Sequence, residues 1–348
     1  MADKVNQESE VSVMSKNYHH EAGLSDEGVL QMYETMLEAR MIDERMWLLN
    51  RAGKIPFVIS CQGQEASQVG ASMALDVTKD YALPYYRDLG IVLHFGMTAE
   101  DLMMSAFARE NDPNSGGRQM PGHFGKKKNR IVTGSSPVTT QVPHAAGIAL
   151  GAQMDGEELV AFTTFGEGSS NQGDFHEGIN FASVHSLPVI FMVENNKYAI
   201  SVPQEKQLNV EHVSERAKAY GIHGETVDGN DPVAVYEAVA NARTRALNGG
   251  GPSLIETVSY RLTPHSSDDD DSTYRSKEEV EAAKKIDSIH TFGAYLRENG
   301  ILTDEKEETM RSKIRRVIDA ATEEAEKAPY ADPGTILDYV YEKEESAQ

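Results

Sequence analysis

Three short runs, LVAFTTF at 159–165, LPVIFMV at 187–193 and SLIETVSY at 253–260, are apolar along nearly their whole length. A strand with one face in water alternates polar and apolar residues, so these runs require cover on both faces. The segments between them carry helical spacing. Phe175, Ile179 and Ala182 share one face over 171–185, and a short helix near 212–220 leads to a weak strand near 223–227. Asp231-Pro232 is an N-cap and first-turn pair for a helix bearing Val233, Tyr236, Val239 and Leu247, which Gly249-Gly250-Gly251 stops. Strands of this kind alternating with helices predict an α/β fold on a doubly wound parallel sheet.

Around that sheet the chain divides into four parts. Residues 1–24 are polar and aperiodic and read as a flexible N-terminal arm. Ser25 is an N-cap, with Asp26 and Glu27 in the dipole-favoured first turn, and Val29, Tyr33, Met36, Leu37, Met41 and Trp47 keep helical spacing until Gly53. The α/β domain extends over 25–262. TPHSSDDDDSTYR, 263–275, has neither period nor core residues and reads as a mobile loop. Ser276 with Glu279 forms a capping-box pattern that opens a charged, helical C-terminal region and tail, 276–348.

Charge and cysteine content narrow the function classes. The 348 residues include 55 acidic and 33 basic side chains, a formal charge of −22 that repels nucleic acid and anionic lipid. One cysteine, Cys61, forms no internal disulfide and suits a reducing compartment. No run approaches the roughly 18 apolar residues that cross a bilayer, and MADKVNQESEVSV lacks the look of a signal or transit peptide. These features point to the cytoplasm, with no membrane and no nucleic-acid partner. The aspartates 268–271 do not fit a calcium hand, and Lys126–Lys128 read as an exposed face.

The chemistry concentrates in GEGSSNQGDFHEGINFASVHSLPVIFMVENN, residues 166–196. Gly166-Glu167-Gly168 follows one strand and Asn195-Asn196 the next, with the 26 residues Ser169–Glu194 between them. In a right-handed strand–helix–strand unit both loops emerge at the same sheet edge, where open α/β sheets bind ligands. A carboxylate, a side-chain amide and a nearby backbone carbonyl suit Mg²⁺, which takes oxygen ligands and completes its octahedron with phosphate and water. The glycines let backbone approach a diphosphate beside a helix amino end. Two other readings stay open on these residues: a plain pair of turns, or a nicotinamide site with Glu194 as the ribose acid. GEGSSN lacks the third glycine of the latter fingerprint.

This layout resembles the thiamine diphosphate motif of the transketolase-like superfamily, with Glu167 in place of the usual Asp. LPYYRDLG, GGRQMPGHFG, TGSSPVTTQVPHAAGIALG, VENNKYAIS and YRLTPHSSDDDDSTYR follow in the order of the alpha subunits of the heterotetrameric 2-oxo acid dehydrogenases. The likeness runs from about Leu24 to Tyr341, and GRQMPGHF, GEGSSNQGDFHEG and PHSSDDDD are most similar to the bacterial branched-chain members. The resemblance implies a thiamine diphosphate-binding α/β domain whose mobile loop 263–275 borders the active site. It also implies oxidative decarboxylation of branched-chain 2-oxo acids, such as 3-methyl-2-oxobutanoate, with acyl transfer to a lipoyl arm. Pyruvate is the alternative substrate and a nicotinamide-dependent oxidoreductase the remote one.

By the same resemblance, Glu167, Asn196 and the Tyr198 carbonyl would hold Mg²⁺. Gly166, Gly168 and Ser169 would approach the diphosphate, to which Tyr86, Arg87 and His265 would donate. Ser136 and Val138 would flank the cofactor, and Phe57 with Tyr86 would wall the acyl pocket. Ser135, Pro137, Thr140 and Gln141 would give oxygens to a structural K⁺. His265 would assist acyl transfer with a pKa near working pH. Some relatives carry Arg where Glu194 stands. In related animal subunits, the serine matching Ser266 is phosphorylated. The implied partners are a beta subunit, in an α₂β₂ tetramer, and a lipoyl acyltransferase core. Without the resemblance, Tyr86-Arg87 also fits a core tyrosine beside a salt bridge, SSPVTTQ a turn and helix start, and His265 a solvated loop residue.

Overall fold

The computed structural model describes residues 16–338 and Val340. Its strands are β1 (Tyr81–Leu83), β2 (Ala161–Gly166), β3 (Val189–Asn195), β4 (Tyr198–Ala199), β5 (Val202–Pro203), β6 (His223–Asp228) and β7 (Ser253–Val258). Five of them form a parallel sheet in the order β1-β2-β3-β7-β6, while β4 and β5 make a small antiparallel ribbon. Gly166 pairs with Glu194, so β2 and β3 end nearly level at one edge.

Among the described residues the α-helices are α1 (Tyr18–Glu21), α2 (Asp26–Arg51), α3 (Glu65–Met73), α4 (Leu89–His94), α5 (Ala99–Ala106), α6 (Gln141–Asp155), α7 (Gly173–Val184), α8 (Ala217–Tyr220), α9 (Pro232–Leu247), α10 (Lys277–Lys284), α11 (Ser288–Glu298) and α12 (Asp304–Lys327). The period-2 alternation within each strand sends side chains to two separate cores. Phe162, Ile190, Met192 and Ile255 join the core built with α2–α5, α9, α11 and α12. Ala161, Phe165, Val189, Phe191 and Leu254 join the other, against α6 and α7. Each fully buried large side chain contributes about 1.5–3 kcal/mol, so covering both faces is what makes this apolar sheet stable in water. None of the helices among the described residues is long and apolar enough to cross a membrane.

Local signals behave as their chemistry dictates. Ser25 accepts from the Gly28 amide at the start of α2, and Asp231 accepts from Val233 and Ala234 at the start of α9. Three expectations change. Residues 16–24 are held rather than loose: His19 is buried, and its ring bonds the Tyr295 hydroxyl on α11. The first fifteen residues of the expected arm lie outside the described residues, as do 341–348 of the tail. The capping box is half made, because Ser276 accepts the Glu279 amide but the Glu279 carboxylate accepts from the Tyr198 and Tyr260 hydroxyls. The C-terminal helices also share the main core through Ile289, Phe292, Leu296, Ile314 and Ile318. Arg40 of α2 ties them in, with bonds of 2.7 and 3.0 Å to Asp287 and one of 2.5 Å to Glu65.

Candidate active site

Beyond β2 the chain enters a short 3-10 turn, Glu167–Asn171, and beyond β3 it turns into the β4–β5 ribbon. Between these turns lies a cavity of about 340 Å³. Tyr86, Arg87, Ser136, Val138, Gly166, Glu167, Gly168, Ser169, Asn196, Tyr198 and His265 all line it. Gln172, the N-cap of α7, does so too, which places that helix's amino end at the cavity wall. Three non-glycine residues near its rim hold left-handed backbone: Thr139 (φ 76°), Lys197 (φ 76°) and Ile200 (φ 55°). Such strain persists where surrounding structure over-determines it, as at ligand sites.

Glu167 is 1% exposed, and the Gln207 amide donates to its carboxylate at 3.4 Å. Burial raises its carboxyl above the ordinary value, opposed by weaker pulls from its own backbone amide, Gln207, Arg261 and the Asn196 amide. A buried carboxylate without a close cationic partner favours a cation. The Asn196 amide nitrogen donates to Gln64 Oε1 at 2.9 Å, and its oxygen accepts from the Tyr198 amide at 3.3 Å. The Tyr198 carbonyl accepts from Arg261 at 3.2 Å and retains a second lone pair. Gln207 Oε1 and Gln64 Nε2 are buried without partners. A Cβ added at Gly166 would meet no atom within 4 Å, whereas one at Gly168 would lie 2.4 Å from Ala199 Cβ. Open space at one glycine, a close-packed neighbour at the other and a buried carboxylate together fit a metal-bound diphosphate.

Arg87 is 1% exposed and organises the opposite wall. It donates to the Ser60 carbonyl at 2.8 Å, to the His265 carbonyl at 2.9 Å and towards His265 Nδ1 at 3.0 Å. Its guanidinium sits 5.2 Å from the Tyr86 ring centre. These contacts change the expectation for His265. Burial, then the positive charges of Arg87 and Arg261, lowers its pKa to about 4, so the ring stands neutral near pH 7 rather than poised to titrate there. With Nδ1 accepting from Arg87, the ring proton belongs on Nε2.

The loop 263–275 is fastened at several points. The His265 amide and Tyr274 hydroxyl both donate to Asp269, and Arg275 donates to the Arg261 and Thr263 carbonyls. Ser266 is 7% exposed, its hydroxyl accepting from the Asp268 amide. Glu194 takes no place in the cavity lining. Its carboxylate accepts from Gln68 at 3.2 Å beside Asp88. Burial, then the Asp88 charge, pushes Glu194 well above the carboxylate range, and burial pushes Asp88 up to about 6.

Some expected groups stand elsewhere. Phe57 is half-buried and is not among the residues lining the cavity; the amide of its neighbour Val58 donates to the Ser267 hydroxyl, and the Ser267 amide donates back to the Val58 carbonyl. Of the potassium set, the Ser135 and Thr140 hydroxyls each lie 3.3 Å from the Pro137 carbonyl, and the Gln141 amide nitrogen donates to the Thr164 carbonyl at 2.8 Å, a bond that does not use its side-chain oxygen. Tyr85, Gln172, Ala199 and Ile200 line the cavity without having been singled out, although each lies inside or beside a quoted motif. Gln64, which orients Asn196, and Gln207 had no spacing signal at all.

Comparison with known proteins adds independent findings. The dehydrogenase E1 component family matches residues 33–334. The 2-oxoisovalerate dehydrogenase subunit alpha of Bacillus subtilis (strain 168) is 69% identical over 330 residues, covering 95% of this chain and 100% of that protein. The pyruvate dehydrogenase E1 component subunit alpha of Bacillus cereus is 39% identical over 321 residues, 92% of this chain and 84% of that one. The mitochondrial 2-oxoisovalerate dehydrogenase subunit alpha of Homo sapiens is 38% identical over 92% of this chain and 72% of its own length. The chain belongs to the dehydrogenase E1 component family.

Proposed function

We propose that the chain is the alpha subunit of a branched-chain 2-oxo acid dehydrogenase. With a beta subunit it decarboxylates acids such as 3-methyl-2-oxobutanoate, using thiamine diphosphate and Mg²⁺, and passes the acyl group to the lipoyl arm of an acyltransferase core. The observation carrying this reading is that Glu167 and Asn196, delivered by neighbouring strand ends, face one cavity. The 69% identity to the Bacillus subtilis relative favours the branched-chain substrate over pyruvate.

Bound thiamine diphosphate supplies the electron sink for decarboxylation. The chain's residues would do the holding. Glu167, the Asn196 amide oxygen and the Tyr198 carbonyl hold Mg²⁺, whose charge offsets the cost of burying the carboxylate. Gly166, Gly168 and Ser169 admit the diphosphate, and Tyr86 and Arg87 donate to it. Neutral His265 offers Nε2–H as a hydrogen-bond donor. The carboxylate that sets the pyrimidine tautomer is assigned to the beta subunit and to no residue here. A structural K⁺ at Ser135, Pro137, Thr140 and Gln141 belongs to the same reading.

Co-purification with the beta subunit, followed by turnover of a panel of 2-oxo acids, tests the proposal. The pair should prefer 3-methyl-2-oxobutanoate to pyruvate by about 10- to 200-fold in kcat/KM, the worth of a few methyl groups in an apolar pocket. The isolated chain should show no useful turnover. A preference for pyruvate would replace the substrate assignment, and robust activity of the chain alone would refute the division of labour.

A further inference from the structure

Away from the cavity, two imidazoles and a carboxylate meet where the segment before α2 passes α11. His19 Nε2 lies 2.9 Å and His20 Nε2 3.2 Å from one oxygen, Asp26 Oδ1. Both second nitrogens are engaged: His20 Nδ1 at 3.1 Å from the Leu24 carbonyl and His19 Nδ1 at 2.6 Å from the Tyr295 hydroxyl. A carbonyl oxygen only accepts, so His20 carries a proton on Nδ1. Its Nε2 therefore turns towards the carboxylate oxygen that His19 Nε2 also faces.

Spacing and surroundings suit a metal ion. Tetrahedral Zn²⁺ with bonds of about 2.0–2.1 Å separates its ligand atoms by about 3.3 Å. The separations of 2.9 and 3.2 Å approach that value, and all three ligand atoms lie within 4.8 Å of one another. Histidine ligands hold their other ring nitrogen on a carbonyl or comparable partner, as both do here. The His19 side chain is fully buried, whereas those of His20 and Asp26 are 51% and 64% exposed, so the cluster opens to water on one side. Imidazole ligands select zinc-class ions over Mg²⁺, which prefers oxygen.

We propose that His19, His20 and Asp26 form a site for a zinc-class divalent cation, distinct from the cofactor cavity, that clamps residues 18–26 against α11 through the His19–Tyr295 bond. The untagged full-length chain, stripped with a chelator and titrated with Zn²⁺ by calorimetry at pH 8 in excess Mg²⁺, tests this. One tight equivalent per chain is expected, with an affinity loss above about tenfold in both His20→Ala and Asp26→Ala. Zn²⁺ should raise the melting temperature of the wild type and of neither variant. Both substitutions are at exposed positions, and the metal-free melting curves report whether the fold is kept. Absence of a tight equivalent, or wild-type affinity in either variant, overturns the three-ligand site.

Discussion

Arg87 donates to both the ring and the carbonyl of His265, so one buried guanidinium sets that histidine's place and its tautomer, and adds to the burial that keeps it neutral. A lysine carries one point charge and cannot span these acceptors together with the Ser60 carbonyl. Arg87→Lys should therefore weaken thiamine diphosphate binding by about 10- to 100-fold, the loss of one or two charged hydrogen bonds, measured by calorimetry on the assembled pair. An unchanged affinity would remove Arg87 from the cofactor wall. His94 gives a separate test of burial, which alone lowers its pKa from 6.5 to about 4. The unfolded ring binds its proton first as pH falls, so this stability is full above pH 6.5 and is lost progressively towards about pH 4. His94→Leu should flatten that loss by up to about 3 kcal/mol in denaturant titrations. Parallel pH curves for the two proteins would contradict it.

α3 links the fold to the site, since its N-cap Gln64 bonds Asn196 and its Gln68 bonds both Glu194 and the Arg87 carbonyl. It presses so closely on the start of α9 that a Cβ at Gly70 would lie 2.4 Å from the Pro232 carbonyl oxygen. Gly70→Ala should cost about 1–3 kcal/mol, lowering the urea midpoint without changing the slope. An unshifted midpoint would show that α3 can move. Periodicity did not reveal this helix because eight of its nine residues are buried, leaving no polar face to alternate with an apolar one. The edge strand Tyr81–Leu83 is too short to carry a pattern. By contrast β2, β3, β7 and α9 were legible, their runs being continuous or capped by Asp231. The motifs brought the cavity's glycines, Glu167 and Asn196 into view. They gave no access to Gln64 or Gln207, whose roles depend on chain crossings far apart in sequence, nor to the neutral state of His265, which arises from burial first and then from two arginines packed around it.

For the whole molecule, function follows from two covered sheet faces leaving one edge for a ligand, with α11 and α12 bound into the same core. The formal charge of the chain is −22, while Arg87, Arg261 and Arg275 concentrate positive charge near the cavity. The central claim is that Glu167 and Asn196 act together on one ion. Its most direct measurement is Mg²⁺-dependent thiamine diphosphate binding to the assembled complex, compared among wild type, Glu167→Gln, Asn196→Ala and the double variant. Each single change should weaken binding by about 100-fold or more, the double no further than the worse single, because both remove the same ion. The Glu167→Gln chain should melt no lower than wild type when cofactor-free, since the lost carboxylate is one that burial disfavours. Wild-type affinity in either single variant, or losses that simply add, would contradict the account.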